Sequence, residues 1–346
     1  MVTIKDISEK CGVSVSTVSK VLNGYSEIST QTKDLVKAAA VELGYGKKSV
    51  SAFYKKRRTY QLGVLFSTMW NLGLKQEYFA YILSSFREEA NNAGYDVTFL
   101  EHNVGRKTMT YLEHCRSRQF DGVCIACTYF LLPEVVELAQ SEFPIVTIDH
   151  AYNGSIAILS DNIGGMKDLA EYVISMGHKK IAYIHGTESV VMHNRLAGFN
   201  RVMQEHGIVI PEKFYLSGEY TNPDLAEKIA TQLLSLSDRP TCILAPDDIS
   251  ALGVFRAAAK KGLKIPDDLS VAGYDGISVS QVIVPRLTTV QQDSETIGRE
   301  AAKRLIRYIE SPMTTPIENC IVKSKLVKGE SVIAPKGSLR AIYNNL

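Results

Sequence analysis

Two textures of apolar spacing divide the chain. Up to about residue 44 apolar positions recur at helical intervals, and from Tyr60 onward short β-rich runs alternate with helical stretches. In the first texture Ile4, Ile7 and Cys11 mark one face of a helix that Thr3 and Asp6 can cap as a pair. Gly12 supplies a turn. Ser14 then caps a second helix in which Val15, Val18, Val21 and Leu22 alternate with Ser16, Thr17, Ser19, Lys20 and Asn23; Val18, Val21 and Leu22 are expected to point inward. Ser29 or Thr30 caps a third, with Leu35, Val36, Ala39, Ala40 and Leu43 on one stripe and Gly44 at its end. Three short helices with a glycine turn between the first two describe a helix-turn-helix.

The second texture predicts an α/β core. QLGVLFS, DVTFL, DGVCIAC, PIVTID, KKIAYIHG, TCILAPD and LSVAGYDG read as strands, separated by helical patterns such as YFAYILSSFREEANNAG, MKDLAEYVISMG and ISALGVFRAAAKKG. Strand, helix, strand at this cadence means parallel sheets with helices on both faces. There are more strands than one mononucleotide-type half requires, so two doubly wound subdomains are expected, facing each other across a cleft at the strand C-termini. The residues there are Ser67, Asp149, Asp161, Gly186, Asp247, Asp248 and Asp275, with Arg195 opening a helix just after a strand. Asp161 and one of Asp247 and Asp248 are expected to serve only as helix caps.

Composition and charge narrow the class. At 346 residues, 45% hydrophobic, the chain has room for two or three domains with sizeable cores, and it shows neither an apolar run of membrane length nor a signal-peptide core. A cytoplasmic protein is expected, with no membrane partner. The net charge of +2 hides an uneven distribution: KKSVSAFYKKRR, residues 47–58, carries six basic residues and no acid, which suits a linker that also contacts phosphates. Among the six cysteines only Cys124 and Cys127 are close. They lie on a predicted buried strand, where positions i and i+3 face opposite sides, so buried thiols are expected rather than a zinc or redox pair.

The chemistry of the two parts differs. Short hydroxyl side chains on the second helix let it lie deep in a major groove and bond to phosphates or base edges; an ordinary small helical bundle with a polar surface is the competing reading. In the core no G-x-G-x-x-G follows the first strand, and no P-loop, G-x-S-x-G or H-E-x-x-H occurs. Carboxylates at strand ends without a nucleophile, metal set or cofactor loop favour binding over catalysis, so no enzyme activity, metal or cofactor is expected.

TIKDIS, GVSVSTVSKVLNG, LGY, DNIGG, GHKKIAYIHG, RLAGF, PDDISALGVFRA, IPDDLSVAGYDG, PRLTTVQQD and IGREAAKRLI follow one another in an order that resembles the LacI/GalR family of bacterial transcriptional regulators over nearly the whole chain. The resemblance implies a small all-α helix-turn-helix domain (1–46), a hinge segment (47–60) and a periplasmic-binding-protein-like α/β core of two doubly wound parallel-sheet subdomains (61–346). The N-subdomain would comprise about 61–160 plus 292–320, and the C-subdomain about 161–291 plus 321–346. It implies a regulator, of repressor type, binding a pseudo-palindromic operator in double-stranded DNA as a homodimer and controlled by a small effector in the cleft. The tail KGSLRAIYNNL lacks the leucine heptads that would tie dimers into tetramers.

DNA contacts are expected from Thr3, Ser14, Val15, Ser16, Thr17, Ser19, Lys20 and Asn23. In the hinge, Tyr54, preceded by Phe53, stands where a leucine commonly wedges into the minor groove. Lys20 stands where the family usually has arginine, and lysine lacks arginine's two-pronged bond to guanine. Arg195 of RLAGF and Asp275 of GYD carry over to the effector pocket by motif; Trp70, Phe79, Asp149 and Tyr220 are placed there by approximate position, and Asp247 by its strand end. These residue types favour a sugar, with a purine or phosphorylated effector as alternatives. A sugar-binding protein without DNA regulation, or an α/β enzyme, are the readings from other classes.

Overall fold

The computed structural model describes residues 4–22, 28–43, 58–67 and 76–338. Thr3, Asn23, Phe53, Tyr54, Trp70 and the hinge over residues 47–57 lie outside the described residues, as do the side chains of Ile4, Leu22, Thr30 and Ala40. The chain divides into two compact units, Met1–Arg58 and Thr59–Leu346.

In the first unit, helices α1 (Ile4–Cys11), α2 (Val15–Leu22) and α3 (Thr30–Glu42) bury Ile7, Val18, Val21, Val36 and Ala39 together. The Gly12 turn has φ of +64°, where a side chain would be strained, and Ser8 Oγ ties it down by donating to the Val13 carbonyl at 2.6 Å. Ser14 Oγ accepts from the Thr17 amide at 3.1 Å and so caps α2. Between the two candidates for the third cap, Ser29 does the capping, accepting from the Thr32 amide at 3.3 Å. Leu35 departs from the predicted stripe: it is 51% exposed, because the face built on Val36, Ala39 and Leu43 leaves it to one side.

The second unit has two lobes. Its chain runs through β1 (Gln61–Phe66), α4 (Glu77–Asn92), β2 (Asp96–Phe99), a small hairpin of β3 (Asn103–Val104) and β4 (Lys107–Thr108), α5 (Tyr111–Arg118), β5 (Gly122–Cys127), α6 (Pro133–Ala139), β6 (Ile145–Ile148) and β7 (Ile156–Ser160). It crosses into α7 (Asn162–Ser175), β8 (Ile181–His185), α8 (Val190–Glu205), β9 (Tyr215–Ser217), α9 (Pro223–Leu234), β10 (Cys242–Leu244), α10 (Asp248–Lys260), β11 (Ser270–Ala272) and α11 (Ser278–Val282). It then returns through β12 (Thr289–Gln291) to α12 (Ser294–Glu310) and β13 (Cys320–Val322), and leaves again through β14 (Lys325–Val327).

The first sheet has order β13-β7-β6-β5-β1-β2 and the second β11-β10-β8-β9, each wholly parallel. β12 and β14 pair antiparallel. Because β13 still pairs with β7, the last crossing comes after Val322, later than the boundary expected at Cys320. The buried IAILS strand and the short helix α5 were not among the elements read from the sequence; α5 carries a Thr110–Glu113 capping box and buries Tyr111, Leu112, His114 and Cys115. Helix α8 begins at Val190 under a Ser189 cap, so Arg195 stands in its second turn and does not open it.

Helices α4 and α12 cover one face of the first sheet. Their close approach depends on Gly298, where an added Cβ would lie 2.1 Å from the Ile82 carbonyl oxygen. Gly298→Ala is expected to cost about 1–3 kcal/mol through this overpacking, read as a lower urea midpoint at unchanged m-value; an unshifted midpoint would show that the helices separate without strain.

Candidate functional site

The strand C-termini of both lobes converge on a cleft of about 500 Å³. Tyr78, Phe79, Thr128 to Leu131 and Asp149 line it from the first lobe, and Thr187, Val190, Arg195, Tyr220 and Asp275 from the second. Glu77, the first residue of α4, reaches across: its carboxylate accepts from the Ser278 amide at 2.7 Å and the Ser278 hydroxyl at 2.6 Å.

Arg195 is 3% exposed and fixed on several sides. Its Nε donates to Asn162 Oδ1 at 2.8 Å and its Nη1 to the Pro246 carbonyl at 2.9 Å, while Nη2 lies 3.5 Å from Asp275 Oδ1. The guanidinium carbon sits 3.6 Å from the centre of the Tyr274 ring and 5.6 Å from that of Tyr220.

Asp275 has φ of +101° and Asp149 φ of +57°, a backbone region that side-chain-bearing residues rarely occupy. The Asp275 amide donates to the Val290 carbonyl at 2.8 Å, its carbonyl accepts from the Gln292 amide at 3.1 Å, and its Oδ1 accepts from Gln292 Nε2 at 2.7 Å. Asp149 accepts from the Ser160 amide and from the Tyr78 hydroxyl, both at 3.0 Å. Burial pushes the Asp275 carboxyl up to about 6 against the opposing pull of Arg195. Burial likewise raises Asp149, opposed by the Ser160 amide, the Tyr78 hydroxyl and Arg195. Tyr78 is itself raised well above the usual phenol range by burial and the Asp149 charge.

Phe79 lines the cleft with its ring edge-on to Phe66 and Tyr78. Tyr220 lies over Gly186, where a Cβ would come within 2.1 Å of the ring; only glycine permits this approach.

Asp247 is corrected. It was expected at the ligand, but it is buried and spent on the protein: it caps α10 through the Ser250 amide at 2.7 Å and accepts from the Thr221 amide at 2.7 Å, fixing the loop that carries Tyr220. The neighbouring Asp248 accepts from the Ile277 amide and the Thr289 hydroxyl. Asp161 caps α7 through the Gly164 amide, as its position suggested.

The sequence reading missed Tyr78, Asn162, Thr187, Tyr274 and Gln292. Asn162 in DNIGG, Tyr274 in GYDG and Gln292 in VQQD stand inside motifs already singled out, which was the available signal. Gln292 Oε1 and Thr187 Oγ1 are buried hydrogen-bonding atoms with no partner among the described residues, and both residues line the cleft.

In the first unit the outward residues of α2 form a patch. Val15 is 47% exposed, Ser16 and Lys20 are exposed, and Thr17 and Ser19 are half-buried. Ser14 has a structural duty as cap and contacts the Ser16 and Thr17 hydroxyls.

A helix-turn-helix unit followed by a two-lobed α/β unit with a ligand-sized cleft defines a transcriptional regulator with a ligand-binding core. The chain belongs to the lacI family of bacterial regulatory proteins, which it matches over residues 3–47; residues 170–332 match the periplasmic binding protein-like domain. It is 30% identical over 313 residues to the HTH-type transcriptional repressor PurR of Haemophilus influenzae, covering 89% of this chain and 91% of that one. Among solved structures it is similar to the transcriptional regulator CelR–cellobiose complex (TM-score 0.70, 25% identity, 96% of this chain and 100% of that chain). It is also similar to the lac repressor dimer bound to operator and the anti-inducer ONPF (TM-score 0.69, 26% identity, 96% and 99%). Among the described residues no helix is long and apolar enough to cross a membrane, and no group of His, Cys, Asp and Glu is arranged to hold a metal.

The raised Asp275 carboxyl has a consequence for stability. A carboxyl raised from 3.8 to about 6 favours its protonated form in the folded state, so its contribution is full below pH 3.8 and lost as pH rises through about 6. Asp275→Asn, which keeps an oxygen for Gln292 but removes the titrating carboxyl, should therefore flatten the fall in stability between pH 4 and 6. An unchanged pH profile in urea titrations would contradict the assignment.

Proposed function

We propose that the protein acts in the cytoplasm as a homodimeric repressor of a pseudo-palindromic operator, and that a neutral polyhydroxylated effector, a sugar, binds in the cleft and shifts operator affinity. The carrying observation is the balance of charge around the cleft. Asp149 and Asp275 present carboxylate oxygens that accept from hydroxyls, whereas Arg195, the one arginine among the described lining residues, is already committed to Asn162, Pro246 and Asp275. A phosphorylated effector would have to compete with those partners beside two carboxylates. Gln292 Oε1 and Thr187 Oγ1 add bonding capacity that a polyol can use. Cellobiose in the similar CelR complex points the same way. A purine is the second reading, favoured by the ring faces of Phe79 and Tyr220 in the lining.

On the DNA side, Val15, Ser16 and Lys20 are assigned to base edges and Thr17 and Ser19 to flanking phosphates, with Ser14 acting through its cap. Thr3, Asn23 and the minor-groove wedge of Tyr54 complete the proposed contacts. Replacing Ser16 or Lys20 by alanine should change sequence preference by about 1–3 kcal/mol at an affected base pair in gel shifts; equal loss on operator and random DNA would reduce these residues to phosphate contacts.

The effector assignment is tested separately. Arg195→Ala and Asp275→Ala should abolish the effector's influence on operator binding while leaving effector-free binding nearly intact. Typical couplings of about 1–3 kcal/mol predict a loss of roughly 5- to 150-fold modulation. Full-strength effector binding by both variants in calorimetry would refute the site.

A further inference from the structure

The boundary between the two compact units falls between Arg58 and Thr59, and the first residues beyond it are held by one buried carboxylate. Asp121, 6% exposed and immediately before β5, accepts from the Thr59 amide at 3.0 Å and from the Tyr60 amide at 2.7 Å. The Thr59 hydroxyl donates to the Gln119 carbonyl at 2.8 Å, with Asp121 Oδ1 3.2 Å away. The Tyr60 carbonyl accepts from the Asp96 amide at 2.8 Å, and the Tyr60 ring packs on Tyr95 with centres 5.3 Å apart. Tyr60 has φ of +57°, which an aromatic residue adopts only where its surroundings impose it.

Strand β1 is secured without these bonds. It begins at Gln61, whose carbonyl already accepts from the Asp121 amide at 2.8 Å; it lies between β2 and β5, and Leu62 and Val64 are fully buried. Thr59 is half-buried and Tyr60 exposed, so fixing them gains little apolar burial. Charge-assisted amide bonds and a strained backbone are thus concentrated on the two residues where the basic segment 47–58 meets the core. What they fix is the direction in which the chain leaves.

We propose that Asp121 is a positioning residue for operator binding: by clamping Thr59 and Tyr60 to the first lobe, it sets the point and direction from which each helix-turn-helix unit is tethered. The inference rests on the reading of the protein as a dimeric, operator-binding regulator. A dimer of this kind reads two half-sites at a fixed separation, about one helical turn or a multiple of it. Once one unit is bound, the second reaches its half-site at an effective concentration set by the length and stiffness of what joins them. The clamp confines that tether to the residues before Thr59, and so favours one half-site spacing over others.

The test starts from an operator selected out of random DNA with the full chain. Gel shifts then compare it with versions whose half-sites are moved apart by about two base pairs, and with a single half-site. Asp121→Asn keeps the size of the side chain but turns one acceptor oxygen into a donor facing an amide. The Thr59→Gly/Tyr60→Gly double variant leaves the buried carboxylate in place and loosens the joint from its exposed side; it decides alone if Asp121→Asn does not fold. Each variant should bind the native spacing about tenfold more weakly, lose its preference over the altered spacing by a similar factor, and keep its half-site affinity. A spacing preference unchanged in the double variant, or equal losses on operator and half-site, would overturn the clamp while operator binding stands. If the selection yields no operator, the regulator reading itself falls, and this inference with it.

Discussion

A buried guanidinium has to be neutralised and fully hydrogen-bonded, and the second lobe is arranged around that requirement at Arg195. A cation 3% exposed would be costly without partners. Its partners come from separate elements: Asn162 from the start of α7, the Pro246 carbonyl from the loop after β10, Asp275 and the Tyr274 ring from the end of β11. One side chain thereby joins the segments that follow β7, β10 and β11.

The carboxylates of the cleft are held in conformations that cost free energy. Asp149 and Asp275 both take positive φ, and both have their ionised forms disfavoured by burial. Backbone bonds from Val290, Gln292 and Ser160 over-determine these geometries. The strain and the suppressed charge mark a site organised in advance for hydrogen-bond donors of a ligand. Stability given up at such positions is a common companion of binding function.

Much of this was legible in the sequence because period and punctuation report burial. Alternating apolar runs located most strands, and RLAGF and GYD located Arg195 and Asp275. What was not legible depended on tertiary position. A strand-end aspartate reads the same whether it faces a cleft, as Asp149 does, or caps a helix behind it, as Asp247 does; the difference lies in the Thr221 and Ser250 amides that happen to reach Asp247. Leu35 reads as core by type, yet the rotation of α3 about its packed face leaves it exposed. Helix α5 is short, and its buried Tyr111, Leu112 and Cys115 make too brief an apolar stripe to stand out among the polar residues around them.

The same contacts that hold the cleft carboxylates also touch the segments where the chain passes between lobes. Ser160, which donates to Asp149, ends β7 immediately before the first crossing. Gln292, which donates to Asp275, follows β12 at the second. The third crossing is tied to the first through the Asp161 amide, which donates to the Val322 carbonyl, and through Ser324 Oγ, which donates to the Asp161 carbonyl. Any ligand that draws on Asp149 and Asp275 therefore alters bonds made by the crossing segments themselves. A ligand shifts a conformational balance only as far as it interacts differently with the two arrangements. Asp149 and Asp275 are each one hydrogen bond away from a crossing segment, through Ser160 and Gln292, so a ligand held by these carboxylates needs no long relay of side chains to reach the crossings.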